Sequence, residues 1–180
     1  MPKRLNKKGE NIALEPNLFR KLIGFDIPIC LRICAGTDGS VTYLLEIMTL
    51  GAVVVNTLSQ EVVQADGWMA GILGISEGER VNDRRVSLSA GGIEYVQARS
   101  LTPFSKMPAG VENDLMRADI PIGKILQKWK IESRRVIDSI ELENVDGSVP
   151  ELVRRYRIIH GDTTLMWIEE RFIADGRWNL

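Results

Sequence analysis

Histidine occurs once in this chain, at position 160, and cysteine twice, at positions 30 and 34. A Ser-His-Asp or Cys-His mechanism would therefore have to use His160 as its base. His160 stands beside Gly161 where a strand is expected to end, and reads as a turn residue. The cysteines, in "ICLRIC", have no second Cys or His pair to complete a zinc site, so they read as buried, reduced, small hydrophobes. No GxGxxG or GxxxxGK[ST] loop is present, so the usual signals for a dinucleotide or a P-loop are missing. No apolar run approaches the roughly 18 residues of a membrane span, and no apolar h-region follows the N-terminal charges, so the expected location is the cytoplasm. A net charge of −1 gives no footing for nucleic acid. What remains for chemistry is carboxylates, arginines and backbone.

The 180 residues, 44% hydrophobic and 26% charged, suit one soluble domain with a sizeable core. Residues 1–12, with Lys3, Arg4, Lys7 and Lys8, read as a flexible basic tail, and 13–180 as a single domain. A helix is expected before Pro28. Asp38 or Ser40 can cap a helix over "VTYLLEIMTL". The β-branched run from Ala52 to Ala65 predicts a long strand, whereas "GWMAGILGI" is ambiguous between loop and helix. Two strands meet at Gly91-Gly92, a strong hairpin signal. Two short helical patterns follow, broken at Pro121, then a weaker strand in "VIDSIEL". The last two strands form a hairpin turning at Gly161-Asp162. Short turns between strands predict an α+β fold: one antiparallel sheet of about six strands, with helices mainly on one side.

Strand alternation picks out charged residues on apolar faces. In "LMWIEERFIAD", Glu170 shares a face with Met166, Ile168 and Phe172, while Glu169 goes with Trp167 and Arg171. In the strand from Val81, Arg84 shares a face with Val86 and Leu88, and Arg85 points away. Arg99, with Ile93 and Tyr95, is a third candidate on a less regular strand. A buried charge costs several kcal/mol unless it is paired. Arg84 and Glu170 therefore form a structural ion pair or reach water at the sheet rim, or else they line a pocket that binds a carboxylate and a hydroxyl. Alternation alone does not choose between these arrangements.

"RRVSLSAGGIEYVQARSLTPFSKMP" resembles the central segment of the chorismate pyruvate-lyases, in which an arginine opening one strand is followed across a hairpin by an Arg-Ser/Thr-x-x-Pro segment. Arg99 follows Arg84 by fifteen positions, as in that family. "TDGSVTYLLE", "IPIGKIL" and "WIEERFI" resemble three further blocks in the same order. Together they run from about Asp38 to Ile173, about three quarters of the chain. The resemblance implies an antiparallel sheet flanked by helices around an enclosed ligand cavity. It implies elimination of pyruvate from chorismate to leave 4-hydroxybenzoate, with no metal or organic cofactor. By position, Arg84 would bind the ring carboxylate and Glu170 would meet the ring hydroxyl and serve in proton transfer. Val41 and Ile122 would touch the ligand through backbone groups, and Arg99 would hold the enolpyruvyl carboxylate. Partners would be chorismate and 4-hydroxybenzoate, without nucleic acid or membrane, in a monomer or simple homo-oligomer. The chain departs from the family where Arg85 replaces an acidic residue and where a longer last hairpin makes Glu169 a rival for Glu170. The same fold serves as the effector-binding domain of GntR-type regulators, so a non-catalytic binding module is the alternative, as is a family member acting on a related chorismate-derived substrate.

Overall fold

The computed structural model describes residues 16–117, 120–144 and 149–180; the basic tail expected over 1–12 lies outside them. Six strands form one antiparallel sheet in the order β1-β2-β3-β6-β5-β4. They are β1 (Val54–Gln64), β2 (Arg80–Ala90), β3 (Ile93–Pro103), β4 (Arg134–Glu143), β5 (Glu151–His160) and β6 (Thr163–Ile173). The β2–β3 hairpin closes with Ala90 opposite Ile93. Gly91 and Gly92 supply the two positive φ angles, 58° and 80°, of the turn type whose twist matches its strands. The β5–β6 hairpin pairs His160 with Thr163 across Gly161-Asp162.

One sheet face carries α1 (Pro16–Gly24), α2 (Ile29–Gly36) and α3 (Val41–Thr49) over one half, and α5 (Val111–Leu115) and α6 (Ile122–Lys128) over the other. Ser40, one of the two expected caps, accepts from the Tyr43 amide to start α3. Under α1 to α3, Leu31, Cys34 and Leu45 pack on Leu88, Val96, Leu152 and Phe172. Trp178 closes this half, its ring edge against Tyr95 at 5.1 Å between centroids. Under α5 and α6, Val111, Leu115, Ile125 and Leu126 pack on Tyr156, Ile158, Met166 and Ile168.

The other face is divided. The ambiguous "GWMAGILGI" is helix α4 (Gly67–Leu73), capped by Asp66 through a 2.7 Å bond from the Met69 amide. Its Met69 and Leu73 cover Val81, Leu101 and Trp167. Beyond α4 the face is a lattice of ion pairs: Arg155 with Glu141, Glu143 and Glu169, and Arg171 with Glu143, Glu151 and Glu169. Among the described residues no helix is long and apolar enough to cross a membrane.

Cys34 is fully buried in α2 and Cys30 half-buried. Burial, partly offset by Arg154, pushes the Cys34 thiol up to about 12. At pH 8 the native protein should label quickly at one thiol, Cys30, with the second reacting only in denaturant. Rapid labelling of both native thiols, counted by mass spectrometry, would contradict this packing.

Candidate active site

Between the two helical groups, on the sheet face that carries both apolar clusters, lies a pocket of about 450 Å³, within the span of roughly 300–1,000 Å³ typical of small-molecule sites. Its floor is Val86, Leu88, Ala98, Ile158 and Ile168, and its walls are the first turns of α3 and α6. The exposed Tyr43, Lys124 and Gln127 border its mouth.

Arg84 and Glu170 both line this pocket. Each is nearly inaccessible, at 3% and 6% exposure, yet the two do not pair with each other. Arg84, on β2 opposite Ser100 of β3, donates from Nη1 to the carbonyl of Ile120 (2.9 Å) and from Nη2 to Thr57 Oγ1 (3.4 Å). The first bond ties its head to the segment entering α6.

Glu170 is held by a residue that sequence reasoning missed. Arg154, on β5 directly opposite Glu170, is fully buried and donates Nη2 (2.5 Å) and Nε (3.0 Å) to Glu170 Oε2. Its third nitrogen, Nη1, donates to the carbonyls of Cys34 (2.9 Å), Ala35 (3.3 Å) and Thr37 (2.7 Å) at the C-terminus of α2. A helix end with orphan carbonyls and a negative dipole is a natural seat for a cation. The guanidinium also lies over the Tyr156 ring at 4.8 Å. Burial works against its charge, but Glu170 outweighs that, and Arg154 stays above the ordinary arginine range. Tyr156 donates its hydroxyl to Glu170 Oε1 at 3.1 Å. Burial, reinforced by the Glu170 carboxylate, raises the phenol, so Tyr156 acts here as a donor. In β5, Leu152, Arg154, Tyr156 and Ile158 alternate onto one buried face, a signal of the same kind that singled out Arg84 and Glu170.

Val41 and Ile122 also line the pocket, each as the first residue of its helix. Amides at that position have no acceptor within the helix. Glu169 faces the opposite side, bonded by Arg155 (2.7 Å) and Arg171 (3.1 Å), and Arg85 is exposed.

Arg99 requires a correction. It lies on the opposite sheet face, fixed to Asp83 by bonds of 3.0 and 2.7 Å, and lines a separate cavity beside Trp68 and Trp167. The register pairs Arg84 with Ser100, so it is Ser100 that shares the pocket and Arg99 that turns away. A break in the β2–β3 register at Leu88/Ser89 puts Tyr95 on the core side despite its even spacing from Arg99, and so misleads the alternation.

His160 is exposed at its hairpin end, with Nδ1 2.6 Å from the carbonyl of Glu132. Among the described residues no three His, Cys, Asp or Glu side chains group as metal ligands.

A family model described as chorismate pyruvate-lyase, Rv2949c-like, matches residues 36–178. The chain belongs to that family. MJ0807 of Methanocaldococcus jannaschii, provisionally named a lyase, is 34% identical over 160 residues, covering 81% of this chain and 79% of that one. A chorismate pyruvate-lyase of Mycobacterium tuberculosis is 24% identical over 160 residues, covering 79% of each. Among solved structures, the effector domain of PhnF from Mycobacterium smegmatis superposes with a TM-score of 0.66 at 15% identity, over 77% of this chain and 90% of that one. A GntR-family transcriptional regulator from Bacillus cereus gives 0.54 at 18% identity, over 67% and 91%. At those identities the likeness is one of fold. The family match spans α3, α6 and every strand, and so includes Arg84, Arg154 and Glu170.

Proposed function

We propose that this protein eliminates pyruvate from chorismate, leaving 4-hydroxybenzoate, without a metal or organic cofactor. The observation that carries the reading is the convergence of Arg84 and Glu170 on one largely apolar pocket in a member of this family. The reaction needs no redox partner. The C3–O bond to the enolpyruvyl group breaks with its electron pair going to oxygen, the hydrogen on C4 leaves as a proton, and the departing enolate takes a proton at its methylene to become pyruvate. The dianion thus becomes two monoanions, and the ring becomes aromatic. Because aromatisation supplies the driving force, the protein's task is to orient the ring and polarise its substituents.

Arg84 grips the ring carboxylate, helped by the amides of Val41 and Ile122. Glu170 Oε1, with room for one bond beyond that from Tyr156, accepts the ring hydroxyl and takes part in the proton transfer. The Arg154 pair holds the carboxylate in place in the pocket that Arg84 also lines.

Purified protein mixed with chorismate should release pyruvate and 4-hydroxybenzoate in equal amounts. Arg84→Ala should lose about 2–5 kcal/mol of transition-state binding, roughly 30- to 5,000-fold in kcat/KM. Intact chorismate with the wild-type protein would reject the lyase reading. The fold likeness to effector domains favours a second reading, a sensor of small acids. In that case aromatic acids would raise the melting temperature without being consumed.

A further inference from the structure

Chorismate carries two carboxylates, and Arg84 accounts for one. With Arg99 on the other face, the second needs a different cation. Among the described residues, the cationic side chains lining the pocket are Arg84, Lys124 and Arg135. Lys124 stands exposed on α6, whereas Arg135 is half-buried on β4.

Most other arginines of the sheet are committed to carboxylates: Arg99 to Asp83, Arg154 to Glu170, Arg157 to Asp138, and Arg155 and Arg171 to glutamates. Arg135 is held differently. Its Nη1 donates to the backbone carbonyl of Asp38 at 3.0 Å, and its buried Nε has no hydrogen-bond acceptor among the described residues. The bond to Asp38 brings the guanidinium to the segment that leads into α3, next to the pocket wall. A charged donor that is anchored but still has unused capacity, in a concave site, calls for an anion.

The sheet order sets the spacing. Arg84 is on β2 and Arg135 on β4, with β3, β6 and β5 between them and Glu170 on the middle one of those three. Four strand spacings separate their backbones by about 19 Å. Both side chains nonetheless line the same pocket, with Glu170 on a strand between them. The Arg154 guanidinium offsets the Glu170 carboxylate from behind.

We propose that Arg135 binds the second carboxylate of a dicarboxylic ligand, namely the carboxylate of the enolpyruvyl group, and so makes the pocket select a dianion over a monoanion. This rests on the lyase reading for the identity of the ligand, but not for its charge.

The test compares chorismate, which has both carboxylates, with 4-hydroxybenzoate, which has one. In Arg135→Ala the KM for chorismate should rise roughly 10- to 100-fold, with kcat less affected. The Kd for 4-hydroxybenzoate, measured by calorimetry, should stay within about twofold of wild type, which also shows that the variant is folded. Arg135→Lys should recover part of the loss, and Arg84→Ala should weaken both ligands. An unchanged KM, or equal loss for the two ligands, would overturn the role of Arg135 while leaving the lyase reading intact. If the wild-type protein does not turn chorismate over, the lyase reading fails, and calorimetry with the same pair of ligands decides Arg135 alone. Selective loss of chorismate affinity in Arg135→Ala supports the second anion subsite, and no selective loss, or no chorismate binding at all, rejects it.

Discussion

Replacing Arg154 by methionine should cost about 3–5 kcal/mol of folding stability, the usual penalty for leaving one member of a buried ion pair without its partner. The substitution strands the Glu170 carboxylate, whose Oε2 would keep no donor among the described residues, together with the carbonyls of Cys34, Ala35 and Thr37 that Arg154 now ties down. For a chain of this size the loss corresponds to a fall in Tm of roughly 6–20 °C. A companion variant separates stability from function. With Glu170→Leu added to Arg154→Met, no buried charge is left behind, and apolar replacements of buried pairs are often neutral or stabilising. The double variant should recover much of the lost stability and show no activity. A single variant melting within about 2 °C of wild type would mean that the pair is not closed as described.

Glu170→Gln should lower kcat by roughly 10²- to 10⁴-fold, the range associated with one positioned acid or base, with KM changing much less. The amide keeps an oxygen for the ring hydroxyl but cannot exchange a proton as a carboxylate does. Because the substitution also weakens the bond to Arg154, kcat must be taken at saturating substrate on protein shown to be folded. Glu169→Gln is the control. Its side chain lies across the sheet among Arg155 and Arg171, so its kcat should remain within about twofold. Full activity in the Glu170 variant, or a loss confined to the Glu169 variant, would reverse the assignment.

The strand alternation of β2 and β6 put Arg84 and Glu170 on one face and Glu169 on the other, and the register confirms that geometry. Turn chemistry was equally plain at Gly91-Gly92 and Gly161-Asp162, where the conformation is decided within two residues. Arg99 failed for a physical reason: a register break in β2–β3 shifts the parity of β3, and single-strand periodicity cannot register an irregularity that belongs to a pair of strands. Arg135 was hidden in the same way, since β4 carries a register break between Ile137 and Ser139 that blurs its alternation. Arg154 lay in a regular strand, but its role depends on the end of α2, more than a hundred residues earlier. For α4, Gly67 and Gly71 lower the helix propensity, and the cap at Asp66 together with packing on Trp167 decides the outcome.

A crystal structure of the protein with 4-hydroxybenzoate tests most directly whether Arg84 and Glu170 serve one ligand. The expected result places the carboxylate on the Arg84 guanidinium near the amides of Val41 and Ile122, with the hydroxyl within hydrogen-bonding distance of Glu170. Density for the ligand only in the opposite cavity, between Arg99 and Trp68, or in the α3–α6 pocket with its carboxylate away from Arg84, would contradict it.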